Sequence, residues 1–424
     1  MQVLHIERLG QRGEGIAHTP AGPVYVPYAL AGETVQAEVS GDRGRLIEIL
    51  VPSPARIDAF CPHYGVCGGC AVQALAPQAY ADWKRGLLID ALRHAGFHPP
   101  VDPRVDSLVD AHGAGRRRAT FHARYAASGK PRVGFMQARA HEIIDLDACP
   151  VLAPSLQAAP AVAHAIAAAL ATAPKPLDIA VTATLSGLDV DLRGHGTLSP
   201  HETQALIRLA AAHDLARLSN HGLRVIERRS PLLRMGRADV APPPGAFLQA
   251  TEAGEAALVD KVCAALDGAR HAADLFAGLG TFSLRLAEKM RVQAVDSESA
   301  ALEALAKAAR ATPGLQPVAV ETRDLFQRPL SAAELVPFDA VVFDPPRAGA
   351  EAQARALAAS SVPLIVAVSC NVQSFARDAV LLAGGSYQFE SATPFDQFRY
   401  SPHLEIVGIF RRPAKSRRAR RLLG

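Results

Sequence analysis

The chain has 424 residues, of which 49% are hydrophobic and 20% are charged, and its formal net charge of +4 is only mildly basic. This length suggests two or three domains, and the apolar content excludes a disordered chain. No apolar run is long enough to cross a bilayer and residues 1–7 show no signal-peptide pattern. We therefore expect a soluble cytoplasmic protein without a membrane partner and, by default, a monomer.

Residues 1–52 are expected to form a small β-barrel of the OB type. Residues 24–27 and 33–39 alternate in polarity or are rich in β-branched side chains, and residues 41–44 predict a hairpin turn into a strand at 45–50. Several short strands in so short a segment are typical of such barrels. These barrels often bind nucleic acid, but a purely structural role stays open.

Residues 53–245 are expected to form a central α+β domain that ends at the proline run 242–244. The predicted helices lie at 79–95 and 154–171, and the predicted strands at 178–185, 188–192 and 223–227. The arginine cluster at 116–118 and the arginine-rich stretch 411–421 allow two interpretations, a solvated charged surface or contacts with the phosphates of a nucleic acid.

Four of the six cysteines form a pattern. Cys61, Cys67 and Cys70 are closely spaced, and Cys149 lies downstream. Because a large cytoplasmic chain keeps its thiols reduced, the pattern indicates a metal centre rather than disulfides. Four thiolates suit either a [4Fe–4S] cluster or zinc, and the spacing alone does not decide between them. Cys263 falls on the apolar face of a predicted helix and is expected to be a core residue.

Residues 246–412 alternate between helices and apolar strands, which predicts an α/β domain with a doubly wound, mostly parallel sheet. After a helix at 251–266, the predicted strands lie at 272–276, 291–295, 317–320, 340–343 and 364–368. Residues 413–424 are expected to be a basic tail.

A glycine-containing loop follows the first of these strands. Gly278 and Gly280 permit a tight turn and the close approach of a ligand to the backbone. The dinucleotide-binding fingerprint requires a third glycine where this chain has Ser283, so NAD is disfavoured. Asp296 ends the next strand, where a carboxylate either accepts hydrogen bonds from ribose hydroxyls or caps a helix.

Asp324 and Asp344 follow the third and fourth strands. Since parallel strands end at the same edge of a sheet, the loop and these three acids are expected to surround one ligand. The set resembles the class I S-adenosylmethionine methyltransferases, which implies a Rossmann-like fold and S-adenosylmethionine as cofactor.

Cys370 follows the fifth strand at the same edge. A lone cysteine is usually a small core residue, but this position favours a nucleophile. Carbon 5 of uracil is too weakly nucleophilic to take a methyl group, and addition of a thiolate to carbon 6 activates it. The proton on carbon 5 must then be removed by a base. Glu405 is the candidate base, although its spacing alone also fits a surface carboxylate on an edge strand.

Three motifs together resemble the RNA uridine-5-methyltransferase family, and the resemblance extends over nearly the whole chain. They are Ser369-Cys370-Asn371, the His403-x-Glu405 element, and the Asp-Pro-Pro-Arg sequence at 344–347. The resemblance implies that Cys370 is the nucleophile and Glu405 the proton acceptor. It also implies a set of cofactor contacts, which with the loop glycine comprises Gln249, Phe276, Gly278, Thr281, Asp296, Asp324 and Asp344.

The resemblance extends to both N-terminal regions. The first strands are similar to the TRAM domain of this family, an RNA-binding barrel. The segment 61–70 is similar to the iron–sulfur segment of the ribosomal-RNA branch, which implies a [4Fe–4S] cluster on Cys61, Cys67, Cys70 and Cys149 and large-subunit (23S) ribosomal RNA as partner. The family usually has proline where this chain has Val372, often asparagine in place of Thr281, and in some members asparagine in place of Asp324.

Four other functions are compatible with parts of this pattern. A base-nitrogen methyltransferase would have an aromatic residue after Asp-Pro-Pro, where this chain has Arg347, and would not need Cys370. One group of cytosine-5 methyltransferases places its cysteine in the fourth-strand loop, where this chain has none. A transfer-RNA uridine-5-methyltransferase and a catalytically silent RNA-binding protein of the same fold remain the alternatives.

Overall fold

The computed structural model describes residues 1–97, 104–125, 130–138, 140, 142–171 and 176–413. Apart from Pro413, the predicted basic tail therefore lies outside the described residues. Within these ranges, no helix is both long enough and apolar enough to cross a membrane.

A curled six-stranded sheet forms the N-terminal region and confirms the predicted OB-like fold. Its strands are β1 (Gln2–His5), β2 (Arg8–Leu9), β3 (Gly15–Thr19), β4 (Gly22–Val26), β5 (Thr34–Ser40) and β6 (Arg43–Val51). They are arranged in the order β1-β5-β6-β4-β3-β2. Alternate residues such as Val24, Val26, Val35 and Ala37 are buried inside the curl. Gly41, with φ of +59°, makes the predicted turn between β5 and β6.

Two elements connect this sheet to the rest of the chain. They are α1 (Pro77–His94) and β7 (Val109–Asp110). Leu87, Leu88 and Leu92 of α1 belong to the same apolar core as the C-terminal sheet, and β7 pairs with that sheet. The domain predicted at 53–245 includes α1 and β7, and both of these elements pack with the C-terminal sheet.

A seven-stranded sheet forms the centre of the molecule. It contains β8 (Arg118–Tyr125), β9 (Pro131–Met136), β10 (Ile143–Asp145), β11 (Leu177–Thr184), β12 (Gly187–Arg193), β13 (Arg217–Asn220) and β14 (Leu223–Glu227). Their order is β10-β9-β8-β11-β12-β13-β14. The helices α2 (Ala159–Ala169) and α3 (Pro200–Ala212) pack on this sheet. A separate hairpin follows, formed by β15 (Leu233–Met235) and β16 (Ala238–Val240).

The single helix predicted at 154–171 is wrong in one respect, because the structure divides it. A short 3-10 helix, Pro154–Leu156, precedes α2. Pro160 has no backbone N–H and lies in the first turn of α2, where a helix tolerates proline, so it marks a new start rather than a continuous interior.

An eight-stranded sheet forms the C-terminal region and confirms the predicted class I methyltransferase fold. Its helices are α4 (Glu252–Ala265), α5 (Ser283–Leu286), α6 (Ser299–Ala311), α7 (Glu351–Ala358) and α8 (Val372–Gly384). Its strands, besides β7, are β17 (His271–Leu275), β18 (Arg291–Asp296), β19 (Val318–Thr322), β20 (Ala340–Phe343), β21 (Leu364–Ser369), β22 (Gln388–Asp396) and β23 (Glu405–Arg411).

The strand order is β19-β18-β17-β20-β21-β23-β22-β7. The first five of these strands run parallel, so their carboxyl ends share one edge. Strand β23 lies between β21 and β22 and is antiparallel to both. Its first residue therefore lies at the same edge as the last residue of β21.

Candidate active site

The glycine loop leaves β17 in a conformation that opens its backbone to a ligand. Phe276 has φ of +63°, a value that is uncommon for a residue with a side chain. Gly278 and Gly280 have φ of +52° and +91°. A Cβ atom on Gly280 would lie 2.5 Å from Leu305, so glycine is required there for packing. A Cβ atom on Gly278 would meet no atom within 4 Å, which leaves free space above its backbone.

Asp296 joins the glycine loop to the end of β18. Its carboxylate accepts hydrogen bonds from the backbone N–H of Gly278 at 2.8 Å and of Glu298 at 2.9 Å. Helix α6 begins at Ser299 with Glu298 as its N-cap, so Asp296 is not the cap residue. Asp296 thus holds the loop in position at the carboxyl edge of the sheet.

The other predicted cofactor residues occupy the same edge. Asp324 accepts hydrogen bonds from the backbone N–H of Phe326 at 2.9 Å and of Gln327 at 3.3 Å, which closes the turn after β19. The rings of Phe276 and Phe326 are 5.5 Å apart. The half-exposed ring of Phe326 was not predicted as a site residue, because nothing in the sequence distinguishes it from an ordinary loop aromatic. Thr281 is half-buried in the glycine loop.

Cys370 lies between β21 and α8 and is half-buried. Asn371 caps α8, since its side-chain oxygen accepts hydrogen bonds from the backbone N–H of Gln373 at 2.9 Å and of Ser374 at 3.2 Å. The helix therefore begins at Val372, where the family usually has proline, without needing proline's restricted backbone.

The sheet register brings Cys370 and Glu405 together. Strand β21 pairs with β23 so that Ser369 lies opposite Ile406. Continuing this register by one residue places Cys370 opposite Glu405. Opposed residues of an antiparallel pair have Cα atoms roughly 4.5–5.5 Å apart. The side chain of Glu405 is buried, with 2% exposure, so it is not the surface carboxylate that its spacing also allowed.

Two glutamines connect Glu405 to Asp344. Gln397 donates from Nε2 to Glu405 Oε1 at 3.0 Å and to Gln249 Oε1 at 2.7 Å. Gln249 in turn donates from Nε2 to Asp344 Oδ2 at 3.3 Å. Each carboxylate thus receives one amide N–H from a single connected chain. Gln397 was missed in the sequence, because its partner Gln249 is 148 residues away along the chain.

Burial and mutual repulsion control the charges of this site. Burial, reinforced by Asp344, raises the pKa of Glu405 well above its ordinary value. Burial also raises the pKa of Asp344 to about 7. Burial followed by the two carboxylates raises the pKa of Cys370 to about 11, against the opposing effect of Arg347. The resting site therefore holds a protonated thiol beside a carboxyl pair that readily binds a proton.

Arg347 is exposed above this site and contacts His403. Its Nη2 atom lies 3.2 Å from His403 Nε2. Burial, followed by the charges of Arg347 and Lys84, lowers the pKa of His403 to about 4, so the imidazole is neutral. Arg347 is thus a cation available at the mouth of the site.

The arginine cluster at 116–118 is not one phosphate-binding surface. Arg117 is buried and forms an ion pair with Glu255 at 2.5 Å, so the phosphate interpretation is wrong for this residue. Arg118 lies over the exposed ring of Phe247, 4.9 Å from its centroid. Arg116 lines the cavity beside the cysteines. Arg116 and Arg117 precede β8, which begins at Arg118, and the three side chains have different surroundings, which sequence clustering could not show.

The four predicted metal ligands line one cavity of about 950 Å³. Ser401 and His403 line the same cavity, so it reaches from the cysteines to the residues just before Glu405. The backbone N–H of Ala71, next to Cys70, donates to Tyr400 O at 2.7 Å. The cysteine segment and the segment before Glu405 are therefore directly connected.

The cysteines are close enough to affect one another. Burial raises the pKa of Cys70 to about 11, and Cys149 and Cys67 add to the effect. As they stand, the described residues include no group of three or more His, Cys, Asp or Glu side chains arranged to hold a metal ion. The donor atoms suit a thiolate-bound metal, but their present arrangement does not constitute one. Cys263 packs against the C-terminal core, as predicted.

Comparison with known proteins agrees with this geometry. The family described as tRNA (Uracil-5-)-methyltransferase matches residues 242–412. An uncharacterised RNA methyltransferase of Agrobacterium fabrum is 45% identical over 96% of this chain and 99% of its own length. The 23S rRNA (uracil(1939)-C(5))-methyltransferase RlmD of Chromohalobacter salexigens is 34% identical over 96% of this chain and 89% of its own.

A solved structure shows the same fold over the whole chain. The tRNA (uracil-54, C5)-methyltransferase of Pyrococcus abyssi, in complex with S-adenosyl-L-homocysteine, is 22% identical, covers 96% of this chain and 99% of its own, and superposes with a TM-score of 0.72. The two relatives are similar to this chain over nearly their full lengths. These matches show that the chain belongs to the RNA (uracil-5-)-methyltransferases, a family of S-adenosylmethionine-dependent enzymes.

Proposed function

We propose that this protein methylates carbon 5 of one uridine in 23S ribosomal RNA in the cytoplasm, with Cys370 as nucleophile and Glu405 as base. The observation that supports it best is the register of β21 and β23, which opposes these two residues at the cofactor edge of the sheet. The choice of ribosomal RNA rests on the 34% identity to RlmD, whose substrate is 23S rRNA.

The cofactor edge fits S-adenosylmethionine. The open space above Gly278, the carboxylate of Asp296 and the amide of Gln249 lie around it. We propose that Gln249, Phe276, Gly278, Thr281, Asp296, Asp324 and Asp344 hold the cofactor. When bound, S-adenosylmethionine supplies an electrophilic methyl group. The positive φ angles of the loop allow a ligand to lie directly on its backbone.

The proposed reaction has two halves. Cys370 acts in the first half and Glu405 in the second. Once the thiol of Cys370 has given its proton to solvent, the sulfur bonds to carbon 6, and the electrons of the C5–C6 double bond move to oxygen 4 as an enolate. Carbon 5 takes the methyl group. The carboxylate of Glu405 removes the proton from carbon 5, the double bond re-forms, and the C6–S bond breaks to release the thiolate. In its ionised form, Glu405 is a stronger base than an ordinary carboxylate, because its pKa is raised.

A uridine stacked in a helix could not reach Cys370, so the target base must leave its stack. We propose that exposed Arg347 at the mouth of the site, and the curled N-terminal sheet, contact the RNA around that base. Arg117 takes no part in this contact, because its guanidinium group is buried in an ion pair with Glu255.

We further propose that Cys61, Cys67, Cys70 and Cys149 bind a [4Fe–4S] cluster, with zinc as the alternative. The cluster would cross-link the cysteine segment to Cys149 and so stabilise the wall of the cavity. Protein purified without oxygen is expected to contain iron and acid-labile sulfide in equal amounts. Cys149→Ser is expected to lower both, and Cys263→Ser, which alters a cysteine of the C-terminal core, is expected to lower neither. Stoichiometric zinc without iron would contradict the cluster.

The test of the proposed function uses total RNA from a strain that lacks the protein. Purified enzyme and labelled S-adenosylmethionine are added, and the digested RNA is analysed by nucleoside mass spectrometry. We expect label in 5-methyluridine from large-subunit ribosomal RNA. Label only in transfer RNA would identify the protein as a transfer-RNA uridine-5-methyltransferase, the alternative function. No label in any RNA would leave a silent RNA-binding protein as the better proposal.

A further inference from the structure

A lysine outside the proposed reaction is fully buried beneath the active site. Lys84 of α1 has 0% exposure. Its ammonium group donates to Asp396 Oδ1 at 2.5 Å, to Phe398 O at 3.2 Å and to His403 O at 2.7 Å. A buried charge costs folding free energy unless each of its donors is satisfied, and here three donors meet three acceptors. All three acceptors lie in residues 396–403, which we name the 396–403 segment.

Tyr80 lies one helical turn before Lys84 and holds the same segment. Its hydroxyl donates to Asp396 Oδ2 at 2.6 Å and accepts a hydrogen bond from the backbone N–H of Tyr400 at 2.8 Å. Both oxygens of Asp396 are therefore occupied by groups from α1. The segment is attached to α1 near its start, its middle and its end.

The 396–403 segment positions the partners of the proposed base. Gln397 follows Asp396 directly, and Glu405 lies two residues after His403. The side-chain oxygen of Gln397 accepts hydrogen bonds from the backbone N–H of Ala250 at 2.9 Å and of Thr251 at 3.4 Å. This arrangement turns the NH₂ group of Gln397 toward Glu405. A shift of the segment would therefore change the distance between Gln397 and Glu405.

The nucleophile is held by different contacts. The backbone N–H of Asn371 donates to Ser369 Oγ at 3.2 Å, and the side chain of Asn371 caps α8. These bonds lie within residues 369–374 and involve no atom of the 396–403 segment. Cys370 can thus keep its position when that segment moves.

We propose that Lys84, supported by Tyr80, is a positioning residue for the second half of the reaction, in which Glu405 removes the proton from carbon 5. This inference rests on the proposed function. The ammonium group of Lys84 is bonded to the carboxylate of Asp396 and to the carbonyl groups of Phe398 and His403, and it acts on Glu405 only through the 396–403 segment.

The test uses two RNA substrates to measure the two halves of the reaction separately. In RNA made with 5-fluorouridine, carbon 5 has fluorine in place of the proton, so the covalent adduct forms after methyl transfer but cannot be resolved. Its rate of formation reports on attack by Cys370 and on methyl transfer, and not on proton removal by Glu405. Turnover of ordinary RNA also requires Glu405. Both are measured with full-length native protein and variants, each with thermal unfolding as a check on folding.

The main variant is Lys84→Met combined with Asp396→Asn, which removes both charges and leaves no unpaired buried ion. Asp396→Asn alone is the matched control. Burial already lowers the pKa of Lys84 to about 8, so a lysine that loses its carboxylate partner can also lose its proton and still donate to the two carbonyl groups. We expect the double variant to form the fluorinated adduct at the native rate. Turnover of ordinary RNA is expected to fall on the order of a hundredfold, with covalent RNA accumulating, because small displacements of catalytic groups have effects of this size. The single variant is expected to retain most of the turnover.

Other results would overturn the proposal. Equal slowing of adduct formation and turnover would mean that Lys84 only stabilises the fold, and native turnover would mean that the segment does not depend on it. If the double variant does not fold, Tyr80→Phe decides, since it removes one donor and one acceptor but keeps the ring, and it is expected to slow only the resolution of the adduct. If the native protein itself forms no fluorinated adduct, the covalent mechanism is refuted, independently of Lys84.

Discussion

Replacing Cys370 with alanine is expected to lower the rate of uridine methylation at least about 10⁴-fold, the scale seen when a covalent nucleophile is removed. Without the sulfur, carbon 5 stays too weak a nucleophile to take a methyl group, and the remaining residues supply only binding and orientation. RNA affinity is expected to stay essentially unchanged, because Cys370 is one half-buried residue at the floor of the site. The measurements are single-turnover methylation and RNA binding by filter retention.

Cys263→Ala is the matched control for this experiment. Cys263 is also half-buried and lies in the same domain. It is part of α4 and packs against the apolar core. The Cys263→Ala variant is expected to be slightly less stable than the native protein and to keep the native methylation rate. If Cys370→Ala kept a rate close to that of the native protein, the covalent route would be excluded and Cys370 would be an ordinary core residue.

Glu405→Gln is expected to trap the covalent RNA adduct. The amide keeps the shape of the carboxylate and can still accept the hydrogen bond from Gln397, but it cannot remove a proton from carbon 5. Attack by Cys370 and methyl transfer therefore proceed, and release stops. A band of protein joined to labelled RNA should appear on a denaturing gel, while product formation falls on the order of 10²–10⁴-fold.

The control for this variant is Glu390→Gln. Glu390 lies on neighbouring β22 and pairs with Arg411 at the surface, so the same chemical change there should give no band and the native rate. A Glu405→Gln protein that turned over normally and showed no band would remove Glu405 from the mechanism.

The same variant has a measurable effect on stability. Because the pKa of Glu405 is raised in the folded state, the folded protein holds this proton more tightly than the unfolded chain does. The stabilising contribution of the proton is present below the ordinary value of 4.5 and is lost as the pH rises toward the raised value. Glu405→Gln is therefore expected to unfold at a higher temperature than the native protein near pH 8, and to lose this advantage near pH 4. No difference between the two pH values would contradict a buried carboxyl.

The cofactor edge was predictable from the sequence because its signals are local. Each strand from β17 to β21 is short, and a residue of interest lies at its end or within three residues after it. Parallel strands bring such residues to one edge whatever the details of their packing. Asp296 and Asp344 could thus be placed near the glycine loop before any distance was known.

The rest of the site depends on contacts that short segments do not encode. Gln397 and Gln249 meet through the packing of α4 against β22 and β23, and no periodicity in either segment indicates it. The burial of Glu405 follows from the insertion of β23 between two strands, whereas its sequence fits an edge strand equally well. The strands β8 to β10 were missed because their polar and aromatic residues do not form a continuous apolar run.

The place of β23 in the sheet has a consequence for the biogenesis of the enzyme. Residues 405–411 are the last strand of the described chain to leave the ribosome, yet they fill a gap in the middle of the sheet. Until they arrive, β21 and β22 each present an unpaired edge, the kind of surface through which nascent chains associate. The strand that covers these edges also delivers Glu405 opposite Cys370. Completion of the fold and assembly of the proposed catalytic pair are thus one event, and a nascent chain that still exposes its edges also lacks its base.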